Sequence, residues 1–98
     1  MAIQIDPDGN EVTALESLID WANTRVLEIG CGDGRLTVRL AEFGAHVTGV
    51  DPDRASIRSA RETLPERLAD RIKYEVGSAG SFKKRRRSFD TVVFSWSL

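Results

Sequence analysis

The sequence predicts an α/β fold of the doubly wound kind, on three observations. Strand-like and helix-like segments alternate along most of the chain. The first strand candidate, Arg25 to Gly30, is too apolar at Val26, Leu27 and Ile29 for a strand with one wet face. Such a run suits the middle of a parallel sheet, covered on both sides. A glycine-rich turn then joins this strand directly to a helix. Alternating strands and helices imply right-handed crossovers and a parallel sheet.

The elements follow in order. Asp6-Pro7-Asp8-Gly9-Asn10 reads as a turn leading into a helix. Val12, Leu15, Ile19 and Ala22 recur at helical spacing and predict a helix over about 10–22, with Trp21 packed in the core. The strand Arg25 to Gly30 and the glycine turn come next. Leu36, Leu40 and Phe43 mark a second helix that Gly44 can cap. His46 to Val50 is a second strand, β-branched in part, followed by an acid. Asp51-Pro52-Asp53 can start the next helix, with Asp53 as its N-cap. Ile57, Ala60, Leu64 and Leu68 continue at helical spacing until Pro65 breaks or restarts the helix. Arg71 to Val76 alternates as a third strand, 77–88 reads as a loop, and Thr91-Val-Val-Phe94 is the centre of a fourth.

Composition narrows the function classes. With 98 residues there is room for one domain and one core. Hydrophobic residues make up 41% and charged residues 30%, which suits a folded soluble chain. No apolar run approaches the roughly 20 residues of a membrane span, and the N-terminus has no signal-like pattern. A single cysteine, Cys31, makes neither an internal disulfide nor a cysteine-based zinc site, and with His46 as the lone histidine no metal site is expected. The default compartment is the reducing cytoplasm. Net charge is -1, so no general affinity for nucleic acid is expected. The charge is uneven, however: residues 1–51 hold nine acids and three bases, and 52–98 hold six acids and eleven bases. Lys83 to Arg87 supplies five of those bases and reads as a solvated loop.

The informative segment is Val26-Leu-Glu-Ile-Gly-Cys-Gly-Asp-Gly-Arg35. Gly30, Gly32 and Gly34 sit where a buried strand turns sharply into a helix. Glycine permits positive φ and lets a ligand approach the backbone. The spacing is not that of the dinucleotide fingerprint G-x-G-x-x-G, whose third glycine would fall at Arg35. A pyrophosphate here would also meet Glu28 and Asp33, two negative charges. No Walker-type Lys-Ser/Thr follows the loop. Asp51 ends the second strand about 20 residues on, where a carboxylate accepts hydrogen bonds from ribose hydroxyls. Together these features fit a nucleoside carrying a positively charged tail.

Val26 to Thr37 resembles the first motif of the class I, Rossmann-like S-adenosylmethionine-dependent methyltransferases. Thr48-Gly-Val-Asp-Pro-Asp53 is similar to their second motif, and Val76-Gly-Ser-Ala79 and Ser88 to Ser95 sit where the next two belong. The resemblance covers residues 24–98 and implies S-adenosyl-L-methionine as cofactor and methyl transfer as activity. It implies a doubly wound sheet of seven strands, of which this chain supplies about four in the order 3-2-1-4. Residues 1–98 are then a single, incomplete cofactor-binding domain. The resemblance places Gly30 and Gly32 beside the methionine part of the cofactor, with Cys31 and Gly34 in the same turn. Glu28 would shape the loop and favour the amino group. Asp51 would hold the ribose, Pro52 would lie against the adenine, and Ser78 and Ala79 would reach its edge. Ser95 would border the methionine and the methyl group. No catalytic residue is assigned, because carbon or nitrogen acceptors can attack the sulfonium methyl without a protein base.

Three departures from the family pattern stand out. Ser78 replaces a frequent Asp, and Gly80 a frequent polar residue, which weakens adenine recognition. The basic run 83–87 replaces a loop rich in Pro and Asp. The short chain leaves its fourth strand as an exposed edge. That edge is expected to pair with a missing C-terminal segment or a protein partner. The competing reading is a non-catalytic module that binds the cofactor weakly or not at all and acts through a partner at this edge. The methyl acceptor is not legible.

Overall fold

A computed structural model of the chain describes residues 2–5, 20–78, 80 and 88–95. The predicted helix over 10–22 falls largely outside these residues. So do Ala79, Lys83 to Arg87 and Trp96. Residues 20–22 are irregular rather than helical, yet Trp21 is buried in the core as expected.

The described chain forms five strands and two helices. They are β1 (Ala2–Ile5), β2 (Arg25–Ile29), α1 (Arg35–Glu42), β3 (His46–Asp51), α2 (Arg54–Glu62), β4 (Ile72–Val76) and β5 (Thr91–Ser95). All strand pairings are parallel, and the order across the sheet is β1-β5-β2-β3-β4. The four strands read from the sequence therefore stand in the expected order 3-2-1-4. Each predicted strand lies within about one residue of its structural bounds, which is the usual uncertainty of element ends.

The correction concerns the fourth-strand edge. It is not open, because Ala2–Ile5 pairs with Val92 to Ser95 along it. The sequence gives no sign of β1, because four residues carry almost no local signal. The partner strand lies about 90 residues away, and such non-local pairing is decided by the assembled sheet.

Helices and sheet pack by residue parity. In register, Val26, Val47 and Ile72 form one row, and Val93, Glu28, Gly49 and Tyr74 the next. These rows face a core shared with Leu36, Leu40, Ala41, Ile57 and Ala60 of the two helices. The apolar stripe of α1 therefore has somewhere to go, and so does that of α2. Leu27, Val50 and Val92 point to the opposite face, with Ile29, Phe89 and Phe94 packed against them. Burial on both faces explains why β2 reads as a continuous apolar run.

The helix ends behave as their residues dictate. Asp53 caps α2 by accepting from the Ala55 N–H at 3.1 Å and from Ser56 Oγ at 2.8 Å. Those bonds, the Ser56 hydroxyl first, hold its carboxyl below the usual range. The helix ends at Glu62, and Pro65 opens a 3-10 turn over Glu66–Leu68. Gly44 follows α1 with φ 106°, the left-handed stop expected there.

Candidate functional site

The candidate residues gather at the carboxyl ends of β2, β3, β4 and β5. This is the side of a doubly wound sheet where ligands bind. Beyond Ile29 the chain turns through Gly30 to Gly34 and enters α1. Gly30 has φ 81° and Gly34 φ 90°. A Cβ on Gly30 would lie 2.6 Å from the Ser95 carbonyl oxygen, and one on Gly34 would lie 2.2 Å from the Tyr74 hydroxyl. Both positions exclude a side chain by backbone conformation and by space. The turn is pinned by the N–H groups of Gly30 and Cys31, which both donate to the Val50 carbonyl at 2.8 and 3.1 Å.

Asp51 ties this turn to the next strand. Its Oδ2 accepts from the Gly32 N–H at 3.0 Å, and its Oδ1 accepts from the Asp53 N–H at 2.9 Å. A carboxylate offers about four lone-pair sites. Each oxygen therefore keeps a free site after holding the loop. Asp51 is half-buried, so those sites remain accessible. The residue does not cap α2, since Asp53 does. Pro52 beside it is exposed. Gly77 donates its N–H to the Asp51 carbonyl at 3.0 Å, which brings the exposed Ser78 to the same rim.

Glu28 lies deeper, fully buried on the helix-facing side of β2. An acid can remain there only with hydrogen-bond partners. Thr37 on the first turn of α1 donates to its Oε1. Ser95 at the end of β5 places its Oγ 2.8 Å from Oε2 and 2.7 Å from the Gly30 carbonyl oxygen. Burial pushes the Glu28 carboxyl up to about 7, the Thr37 and Ser95 hydroxyls pull it down, and the charge of Asp51 adds to the rise.

Two contributors were not assigned roles from the sequence. Thr37 is a polar residue inside the buried stripe of α1, and that mismatch was the available signal. Tyr74 left only its inward parity on β4. Its buried hydroxyl has no hydrogen-bond partner of ordinary geometry among the described residues. Burial pushes its phenol up, and the adjacent Thr37 hydroxyl only partly offsets this. Cys31 is buried and free, and burial first, then the charge of Glu28, pushes its thiol up. A thiol so placed is a poor nucleophile and a good small filler of a crowded turn.

A pocket of about 10 Å³ is lined by Glu28, Gly30, Cys31, Leu36 and Ser95, with Asp33 and Arg35. That is about the space of one water. Larger clefts of about 310 and 340 Å³ lie at the amino ends of the strands, around His46 and Arg71, and along α2. Volume alone would favour them. Glu28, Asp33 and Asp51, however, converge with the left-handed Gly30, Gly32 and Gly34 on the small pocket and its rim. On that rim Asp51 presents an acceptor site on each oxygen beside the glycine turn. No group of three or more potential metal ligands occurs among the described residues, and no described helix is long and apolar enough to cross a membrane.

The chain is similar to known methyltransferases. The model of a family described as a methyltransferase domain matches residues 26–98. A ubiquinone biosynthesis O-methyltransferase of Aromatoleum aromaticum is 38% identical over 83 residues, covering 76% of this chain and 35% of that protein. A magnesium-protoporphyrin O-methyltransferase of Rhodobacter capsulatus is 40% identical over 79 residues, covering 81% of this chain and 34% of its own length. Among solved structures, an S-adenosylmethionine-dependent methyltransferase of Mesorhizobium loti superposes with a TM-score of 0.75 at 25% identity, covering 93% of this chain and 40% of that one. The chain spans about a third of the length of these curated relatives.

Proposed function

Because the chain belongs to the class I S-adenosylmethionine-dependent methyltransferase family, we propose that it forms the cofactor-binding part of a methyltransferase. The supporting observation is Asp51. Its carboxylate is held by two backbone N–H groups and keeps one acceptor site on each oxygen. Two adjacent ribose hydroxyls would complete it. The same acid, with Glu28 and Asp33, disfavours a pyrophosphate and favours a ligand with a cationic end.

In this reading Gly30 and Gly32 admit the methionine part, while Cys31 and Gly34 keep the turn narrow. Glu28 and Ser95 back that end of the site. Pro52 lies against the adenine, and Ser78 and Ala79 meet its edge. When bound, S-adenosyl-L-methionine supplies an electrophilic methyl on sulfur. The residues of this chain hold and align it and exclude water, which is the main requirement of an in-line transfer. No residue here is assigned as general base. Residues 1–98 are one partial domain, and the acceptor belongs to the part of the site beyond it. The lone, free Cys31 fits a reducing compartment, the cytoplasm.

Calorimetric titration tests the proposal. The chain should bind S-adenosylhomocysteine and not NAD. Asp51→Asn should weaken binding at least about tenfold, as expected for losing charge-assisted hydrogen bonds. A folded chain that binds neither ligand would overturn it, as would an Asp51→Asn variant with unchanged affinity.

A further inference from the structure

The Ser95 hydroxyl stands between two acceptors. Its Oγ is 2.7 Å from the Gly30 carbonyl oxygen and 2.8 Å from Glu28 Oε2. A serine hydroxyl has one hydrogen to give. With Glu28 ionised, Ser95 can serve only one of these oxygens, and the other contact has no proton in it. With Glu28 protonated, every contact is a hydrogen bond. Glu28 Oε2–H donates to Ser95 Oγ, Ser95 donates to Gly30, and Thr37 donates to Glu28 Oε1.

The surroundings favour that proton. Among the described residues, the titratable groups that face Glu28 are Asp51 at the end of β3, Cys31 and Asp33 in the turn, and Tyr74 on β4. None of them brings a positive charge. The one described cation lining the same pocket is Arg35, whose Nε lies 3.4 Å from Asp33 Oδ1. A buried carboxyl without a cation stays neutral most readily.

We propose that Ser95 and Glu28 form a proton-linked switch that frees the Gly30 carbonyl for the ammonium group of the cofactor's amino-acid end. It rests on the cofactor reading above. Before binding, Ser95 caps the Gly30 carbonyl. An ammonium arriving at that oxygen takes the place of the Ser95 hydrogen. Ser95 rotates to donate to Glu28 Oε2, and the Glu28 proton leaves to solvent. One O–H···O bond is exchanged for one N–H···O bond, and one proton is released. The new carboxylate and the ammonium then offset each other in a site with little water. Glu28 is thus a positioning residue that acts through Ser95.

The test is calorimetry with S-adenosylhomocysteine at pH 6.5 in phosphate, PIPES and imidazole buffers. The apparent binding enthalpy should vary linearly with the buffer's ionisation enthalpy. With a Glu28 carboxyl at about 7, the slope should correspond to about three-quarters of a proton released per ligand. Affinity should rise with pH towards tenfold per unit well below that value. A His46→Gln background takes the chain's one histidine out of the comparison. Glu28→Gln mimics the protonated acid, since its amide donates permanently to Ser95. That variant should bind about tenfold more weakly, release no proton and lose the pH dependence. Tight binding with a buffer-independent enthalpy would overturn the switch and leave the cofactor reading standing. Undiminished release from Glu28→Gln would assign the proton to another group and also overturn it. No binding by the folded chain would overturn the cofactor reading and the switch with it. The wild-type measurement decides the matter even if the variant fails to fold.

Discussion

The two ends of the sheet use polar residues in opposite ways. At the carboxyl ends of the strands, Glu28, Thr37 and Ser95 are buried and share hydrogen bonds across three elements. At the amino ends, the polar contacts are pairwise and exposed or only part-buried. Arg25 meets Asp90 at 3.5 Å with both side chains half or more exposed. Arg67 meets Glu42 at 2.8 Å with its side chain 63% exposed. Arg71 donates to the Gly44 carbonyl at 2.8 Å. Buried polar groups raise the stakes of every substitution, because a lost partner leaves an unsatisfied group in a dry site. Exposed pairs exchange one partner for water. The difference is in keeping with the cofactor site proposed at the carboxyl end.

The sharpest way to break this contrast is at the glycine turn. Gly30→Ala adds a methyl group 2.6 Å from the Ser95 carbonyl and forces a left-handed backbone on a non-glycine residue. Urea denaturation should show a loss of roughly 3 kcal/mol or more, or an unfolded chain. A change within 1 kcal/mol would mean that the turn is looser than its contacts imply.

Glu28 gives the next largest effect, and its sign is specific. Its carboxyl titrates near 7 in the fold, against an ordinary value of 4.5. The folded state therefore binds more protons than the unfolded state between these values. The stabilisation is fully present below pH 4.5 and is lost as pH rises through 7. Urea midpoints for the wild type should correspond to a drop of roughly 2 to 3 kcal/mol between pH 5 and 8. Glu28→Gln should remove most of that slope. Equal slopes in both proteins would place the sensitive group elsewhere.

The smallest effect belongs to the amino end. Arg67→Ala removes an exposed ion pair and should cost less than about 1 kcal/mol, with added salt shrinking it further. Thermal unfolding with and without salt would measure it. A cost as large as that of a buried substitution would erase the contrast between the two ends.

Much of the site was legible along the chain because its signals are local. Gly30, Gly32 and Gly34 interrupt an apolar strand at one place, and Asp51 follows β3 directly. Asp53 sits three residues before Ser56 and caps its own helix. Thr37 and Tyr74 were not legible as site residues, because their parts depend on which face of a helix or strand turns inward. In sequence Glu28 is legible only as an acid ahead of the glycine turn. Its actual partners are a hydroxyl on α1 and one 67 residues away on β5.

The sequence by itself determined the alternation of strands and helices, the buried middle strand, the glycine turn and the acid after β3. Each follows from local propensity, parity and backbone freedom, which act over a few residues. Only the tertiary structure decided that Ala2–Ile5 pairs with β5, and that Glu28, Thr37, Ser95 and the Gly30 carbonyl meet in one buried cluster. Those contacts join residues far apart in the chain. They exist only once sheet order and register place the strand ends side by side.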